Sequence, residues 1–230
     1  LGNDDSLQPR SRESLDIQTK ATLERNAGNI NDFANSIRAM RRHEIERIGL
    51  AWMSGVIDDE ASLAGMTDVY DAAIEASLQW AIQHRINDIQ IDEAPAAIAI
   101  IGMGRYGGRE VNFSSDADVI IIYRPAEGAD DDQANLFARK VQEDLRAILQ
   151  GPTTFEPKIE LDMDLRPEGK NGPLVRSYAS CEEYYRSWAS TWEHQALLRA
   201  RYAAGDASLA EDFLMNIADP LRYPCLLYTS

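Results

Sequence analysis

Cysteine is almost missing from this chain: only Cys181 and Cys225 occur, with no CxxC pair. That excludes a disulfide framework and a cysteine-ligated zinc site, and it fits a reducing, cytoplasmic setting. Long apolar runs are missing too. The stretches Ala94 to Ile101, interrupted by Pro95, and Val119 to Tyr123 are far too short to cross a bilayer, so no membrane association is expected. Positive charge is scarce, with 23 Lys and Arg against 38 Asp and Glu and a net charge of -15. Such a surface repels a nucleic-acid backbone, and any anionic ligand must be held locally by a metal or a few arginines. The chain opens on Leu1 without a basic segment followed by an apolar one, which reads as a fragment without a signal peptide.

The 230 residues are 44% hydrophobic, enough for one sizeable core or two small domains. Residues 1–90 read as a helical segment. From Asp32 the positions Phe33, Ile37, Met40, Ile45, Ile48 and Trp52 recur at helical spacing and Gly55 ends the run. Thr67 is the expected N-cap of a second helix carrying Val69, Ala73, Ala76 and Trp80. Residues 91–176 have a different texture. "AAIAIIG" and "DADVIIIYRP" are β-branched runs closed by glycine and by proline, and "KIELDMDLRP" alternates in period two. A helical stripe of Phe137, Val141, Leu145 and Ile148 follows an acidic loop at 130–132. Residues 177–224 read as a helical layer over the sheet, its face formed by Tyr184, Trp188, Trp192, Leu197 and Leu198. The expected class is α+β, a small mixed sheet flanked by helices.

The chemistry gathers in "GMGRYGGREVNFSSDADVIIIY", residues 102–123. Alternate side chains of a strand share a face, so Asp116 and Asp118 project together while Ala117 turns away. Two carboxylates so placed repel, and one holds its proton unless a cation lies between them. Mg2+ suits such hard oxygen ligands. In the third strand Asp162 and Asp164 repeat the spacing. If that strand is a neighbour, Asp162 completes a three-carboxylate cluster for two metal ions, which in such sites stand roughly 3.5–4 Å apart. The glycines Gly102, Gly104 and Gly107 match G-x-G-x-x-G, but no long helix follows them and the carboxylates open the next strand instead of ending it, which argues against a dinucleotide fold. No Lys-Ser or Lys-Thr follows, so a Walker loop is excluded. A glycine turn can still offer backbone N–H groups to a triphosphate.

A glycine turn, then D-x-D on a strand, then an aspartate on a later strand is similar to the polymerase-β-like nucleotidyltransferases. "GMGRYGGREVNFSSDADV", "LDMDLRPEGKNGPLVRS" and "TWEHQALLRARYAAGD" resemble the glutamine synthetase adenylyltransferase family, over about Ile37 to Pro224. The resemblance implies transfer of AMP from ATP, with Mg2+, to a tyrosine hydroxyl of glutamine synthetase, which lowers nitrogen assimilation under the influence of a PII-type signalling protein. It implies that Asp116 and Asp118 bind metal and that Asp162 holds the catalytic metal and helps deprotonate the tyrosine. Gly104, Arg105 and Ser115 would lie near the triphosphate, with Arg166 neutralising charge there. Asp164 departs from the family pattern, since many members carry arginine at that place. Family members hold an adding and a removing half; "TWEHQALLRAR" and "ADPLRYP" resemble the carboxyl-terminal, adding half, while "NFSSD" is also common in the removing half. The alternatives are therefore the removing half and a nucleotide-binding regulatory module without chemistry. Glu193, Arg199 and Arg201 are further candidates for the site, His194 is expected to be no metal ligand, and residues 225–230, "CLLYTS", are expected to be a non-native tail.

Overall fold

The computed structural model describes residues 7–153 and 156–222. The tail at 225–230, with Cys225, lies outside the described residues. Three helices open the fold: α1 (Arg12–Arg25), α2 (Ile30–Met53) and α3 (Asp59–Asp88). Helix α2 starts where the Asn29 side chain accepts from the backbone N–H groups of Asn31 and Asp32, and it stops before Gly55, whose φ of 74° continues no helix. Helix α3 begins earlier than expected. Asp58, not Thr67, is its N-cap, accepting from Ala61 N–H, and Thr67 sits buried mid-helix with its hydroxyl donating to the Leu63 carbonyl. A short polar side chain mid-helix satisfies itself on the preceding turn, so it mimics a cap in sequence.

The sheet follows. Strand β1 (Ala96–Gly102) leads through one helical turn, α4 (Gly104–Gly107), to β2 (Ala117–Pro125), and α5 (Asp131–Gln150) leads to the short β3 (Leu161–Asp162). The acidic run is a helix start rather than a loop: Asp130 caps α5, and Asp131 and Asp132 occupy the first turn, where the helix dipole favours negative charge. Two strands went unread in the sequence, β4 (Val175–Ser177) and β5 (Arg201–Gly205). The order is β3-β2-β1-β5, with β4 also on β2, so that β3 and β4 run parallel to β2 along its outer side while β1 is antiparallel between β2 and β5.

Strand alternation gives the sheet two buried faces. Ile98, Ile100, Ala117, Val119 and Ile121 pack with the residues of α2, α3 and α5, including Phe33, Ile37, Ile74 and Leu145. On the other face, Ala99, Ile101, Ile120 and Ile122 meet Cys181, Tyr185, Leu209 and Phe213, which belong to α6 (Tyr178–Ser187) and α8 (Ala207–Phe213). Each such isoleucine is worth about 1.5–3 kcal/mol of burial, enough for the strands to carry charged residues at their ends. The last helical layer departs from expectation. Helix α6 ends before Trp188, a new helix α7 (Thr191–Ala196) starts at Ser190, and Trp188 is 75% exposed and Trp192 47% exposed. Their four-residue spacing continues across a helix break, so they lie at the surface instead of in the core. Among the described residues no helix is long and apolar enough to cross a membrane.

Candidate active site

Register decides which side chains meet. Residues paired across neighbouring strands share a face, and Ala117 pairs with Leu161 while Asp118 pairs with Asp162. Ala117 and Leu161 both enter the α2–α3–α5 core. Asp118 and Asp162 therefore project from the opposite face, beyond the end of the apolar stripe that Ile120 and Ile122 begin. Asp116 joins them from just before the strand: Asp116, Asp118 and Asp162 each place one carboxylate oxygen within 4.8 Å of the others.

That convergence is unfavourable for bare carboxylates. Burial, then the charges of Asp116 and Asp162, push the Asp118 carboxyl up to about 6, against the smaller opposing effects of the Arg105 charge and the Arg105 backbone N–H. The three oxygens suit a divalent cation by chemistry and spacing, because a cation shared between them removes the repulsion that raises Asp118. A cavity of about 460 Å3 opens beside the cluster, lined by Asp116, Asp162, Asp164 and Lys170.

The glycine turn fits around the cluster. Gly104 has a φ of 52°, and a Cβ there would lie 2.2 Å from Asp118 Oδ2. Only glycine accepts both that conformation and that approach. Gly107 lets another segment close in, since a Cβ there would lie 2.2 Å from the Arg199 carbonyl. Met103 N–H donates to the Asp118 carbonyl at 2.8 Å and ties the turn to β2. Arg105 is exposed on the turn, and its positive charge acts on Asp118.

Ser115 is held rather than presented. Its hydroxyl donates to Asn112 Oδ1 at 3.0 Å and accepts from Asn112 N–H at 3.0 Å. Its carbonyl accepts from Tyr70 Oη at 3.0 Å, and Tyr70 in turn accepts from Arg41 at 2.7 Å. The α2–α3 layer thus fixes the backbone one residue before Asp116. Tyr70 and Arg41 carry no sequence signal, because both occupy ordinary buried helical positions.

Arg166 borders the same cavity but commits its donors to its own loop. Its guanidinium donates to the carbonyls of Met163 at 2.7 Å, Gly172 at 3.0 Å and Lys170 at 3.1 Å, and it is 7% exposed. It closes the loop from β3 to β4. The expected continuation of the third strand through Asp164 also fails: β3 ends at Asp162, and Asp164 turns to Lys170 at 3.2 Å, with only its N–H bonded to Asp162 Oδ1 at 2.7 Å. A tight loop laced by Arg166 breaks the alternation that period two suggested.

Three candidates in the last helical layer are committed elsewhere. Glu193 is buried; burial alone would raise its carboxyl, yet hydrogen bonds from Ser190 N–H, the Tyr184 hydroxyl and Glu168 N–H outweigh it and hold it below the usual carboxylate range. Arg201 binds Asp71 with two nitrogens, at 2.8 and 3.0 Å, and lies over the Tyr106 ring. Arg199 pairs with Glu110 at the surface beside the glycine turn. His194 is absent from the acidic cluster.

Comparison with known proteins places these residues in context. A family model described as glutamate-ammonia ligase adenylyltransferase matches residues 2–216. A protein of Bifidobacterium longum strain DJO10A, named bifunctional glutamine synthetase adenylyltransferase/adenylyl-removing enzyme, is 76% identical over 97% of this chain and 21% of its own length. Similarly named proteins of Mycobacterium tuberculosis and Mycobacterium avium are 46% identical over 81% of the chain and 42% identical over 94%. The chain spans about a fifth of the length of the relatives it matches.

Proposed function

Because the chain belongs to the glutamate-ammonia ligase adenylyltransferase family, we propose that it forms a Mg2+-dependent adenylylating unit that transfers AMP from ATP to a tyrosine hydroxyl of glutamine synthetase and releases pyrophosphate. The observation that carries this reading is the convergence of Asp116, Asp118 and Asp162 beside a glycine turn. A missing carboxylate would favour a module that only bound nucleotide, and all three are present. The unit has three parts in this reading, a helical support (1–90), the nucleotidyltransferase core (91–176) and a helical cover (177–224). It works in the cytoplasm, and a PII-type protein acts on it through the remainder of such polypeptides.

Asp116, Asp118 and Asp162 would hold the metal. When bound, Mg2+ would neutralise these carboxylates and the phosphoryl oxygens drawn to them. The chain's own residues do the rest. Gly104 lets the turn that would face the triphosphate close on Asp118, and Arg105 on the same turn offsets charge on the departing pyrophosphate. Ser115, fixed through Asn112 and Tyr70, sets the direction of the Asp116 backbone. The tyrosine oxygen attacks the α-phosphorus while the bond to the β-phosphate breaks, and its electrons leave with pyrophosphate. The phenol has a reference pKa of about 10, so its proton needs an acceptor. Asp162 takes that proton, because it lines the cavity and is anchored by Asp164 N–H. Arg166 acts by holding the loop that carries this anchor.

Removal would run differently, with phosphate attacking the adenylyl-tyrosine to give ADP and a free hydroxyl. The test separates the two. The chain is incubated with ATP, Mg2+ and unmodified glutamine synthetase, and in parallel with phosphate and adenylylated glutamine synthetase. A mass gain of one adenylyl group in the first tube and no ADP in the second is expected; the reverse outcome would reassign the unit to removal.

A further inference from the structure

The acidic cavity does not end at the aspartates. Its wall at Arg146 and Leu174 is also the wall of a larger cleft of about 720 Å3, between the outer side of α5 and the segment that enters β4. Asn135, at the far end of that cleft, borders a further depression of about 330 Å3 beside Tyr178. The three form one groove that starts at Asp162 and follows the sheet edge. Strand β4 pairs with β2 on one side, and among the described residues no strand pairs with it on the other.

The middle of the groove is cationic on a chain whose net charge is -15. Among the described residues Arg139 makes no hydrogen bond or ion pair, and Arg146 donates only to Gln150 Oε1, at 3.0 Å. The one carboxylate lining the 720 Å3 cleft itself, Glu143, is already paired with Lys140 at 2.7 Å, while Glu160 lines the acidic cavity on the other side of Arg146 and Asp131 and Asp132 line the depression at the far end. Gln142 also lines the cleft; it is 4% exposed, and its amide nitrogen has no partner. A buried donor without an acceptor costs roughly 1–3 kcal/mol, so the site favours a ligand that brings carbonyl or carboxylate oxygens.

We propose that this groove takes an extended, acidic segment of the acceptor protein, with the segment's carboxylates on Arg139 and Arg146 and its tyrosine delivered to Asp162. Unpaired edge strands, charge complementarity and continuity with the site together fit an extended peptide better than a second nucleotide. The inference rests on the adenylylation reading for the identity of the acceptor, glutamine synthetase. A nucleotide in the groove is an outcome that the test detects.

The chain, Arg139→Glu and Arg139→Lys are compared by three measurements: Kd for glutamine synthetase by interferometry, Kd for Mg2+-ATP by calorimetry, and KM and kcat for transfer. Arg139 is exposed on α5, so the fold tolerates both changes. Arg139→Glu is expected to weaken glutamine synthetase binding and raise its KM by at least about tenfold, with kcat and the ATP Kd within about twofold. Arg139→Lys keeps the affinity within about threefold. Unchanged binding in Arg139→Glu, no binding by the unaltered chain, or a change confined to ATP affinity would each overturn the groove assignment. Intact, Arg139-dependent binding without AMP transfer would instead overturn the adenylylation reading and leave the groove standing.

Discussion

Asp118→Asn should make the metal-free protein more stable while removing its response to Mg2+. The Asp118 carboxyl is pushed up to about 6 from its usual 3.8 by burial and by its two acidic neighbours. A raised carboxyl favours the protonated fold, so its contribution is fully present below the unfolded value and is lost as pH rises through about 6. At pH 7.5 the charged group therefore weakens the fold. The rise from 3.8 to about 6 corresponds to roughly 3 kcal/mol at most, and solvent around a half-buried group reduces this to about 1–2 kcal/mol. Asparagine keeps the shape, accepts the Arg105 N–H and carries no charge. Urea unfolding in EDTA at pH 7.5 should place the variant about 1–2 kcal/mol above the unaltered protein, with a gap that narrows towards pH 4. Saturating Mg2+, at about 100 times Kd, should raise the unaltered protein by about 2.7 kcal/mol and the variant by far less. A variant no more stable than its parent in EDTA, or a gap that does not depend on pH, would refute the claim that the cluster is electrostatically strained without metal.

Gly104→Ala should abolish transfer and weaken Mg2+ binding, since its Cβ would lie 2.2 Å from Asp118 Oδ2 at a φ of 52°; a Mg2+ titration by calorimetry checks it. Tyr70→Phe removes the hydroxyl between Arg41 and the Ser115 carbonyl, and denaturation should show a loss of about 1–3 kcal/mol with lower kcat. Asp162→Asn should lower kcat by at least about 10² with ATP affinity within a few fold, whereas Asp164→Asn, which weakens the ion pairs of Asp164 with Lys170 at 3.2 Å and Arg166 at 3.7 Å while Arg166 keeps its three carbonyl partners, should leave kcat within about threefold.

The sequence made the apolar strands and the first two carboxylates legible because both obey a local period. Asp116 and Asp118 need only alternation along one strand to share a face. Asp162 needed the register of β3 against β2, a non-local fact, and alternation alone offered Asp164 equally. The structure separates the two through Arg166, whose bonds to three carbonyls curl the chain after Asp162. An arginine that spends its donors on its own loop looks in sequence like one waiting for phosphate. Glu193 is a candidate through the motif "TWEHQALLRAR", and its side chain caps α7 through Ser190 and buttresses Glu168 N–H. Strands β4 and β5 were illegible because three and five residues, flanked by helices, set up no period.

Those inward-turned charges explain how the cluster is kept together. Each strand end that carries an acidic residue is fixed by polar contacts, some to another layer and some within its own loop. The Asp116 end is held from α2 and α3 by Arg41, Tyr70 and the Ser115 carbonyl. Glycine turn α4 is pinned to β2 through Met103, and from behind Arg201 joins the Tyr106 carbonyl to Asp71 on α3. Arg166 holds the loop after Asp162. Repulsion between carboxylates would otherwise relax by moving two-residue β3 away from β2, which its two paired positions oppose together with the bonds of Ala117 N–H to the Glu160 carbonyl and of Ile159 N–H to the Leu149 carbonyl. Rigid supports on both sides keep the repulsion in the site, where a bound cation would relieve it.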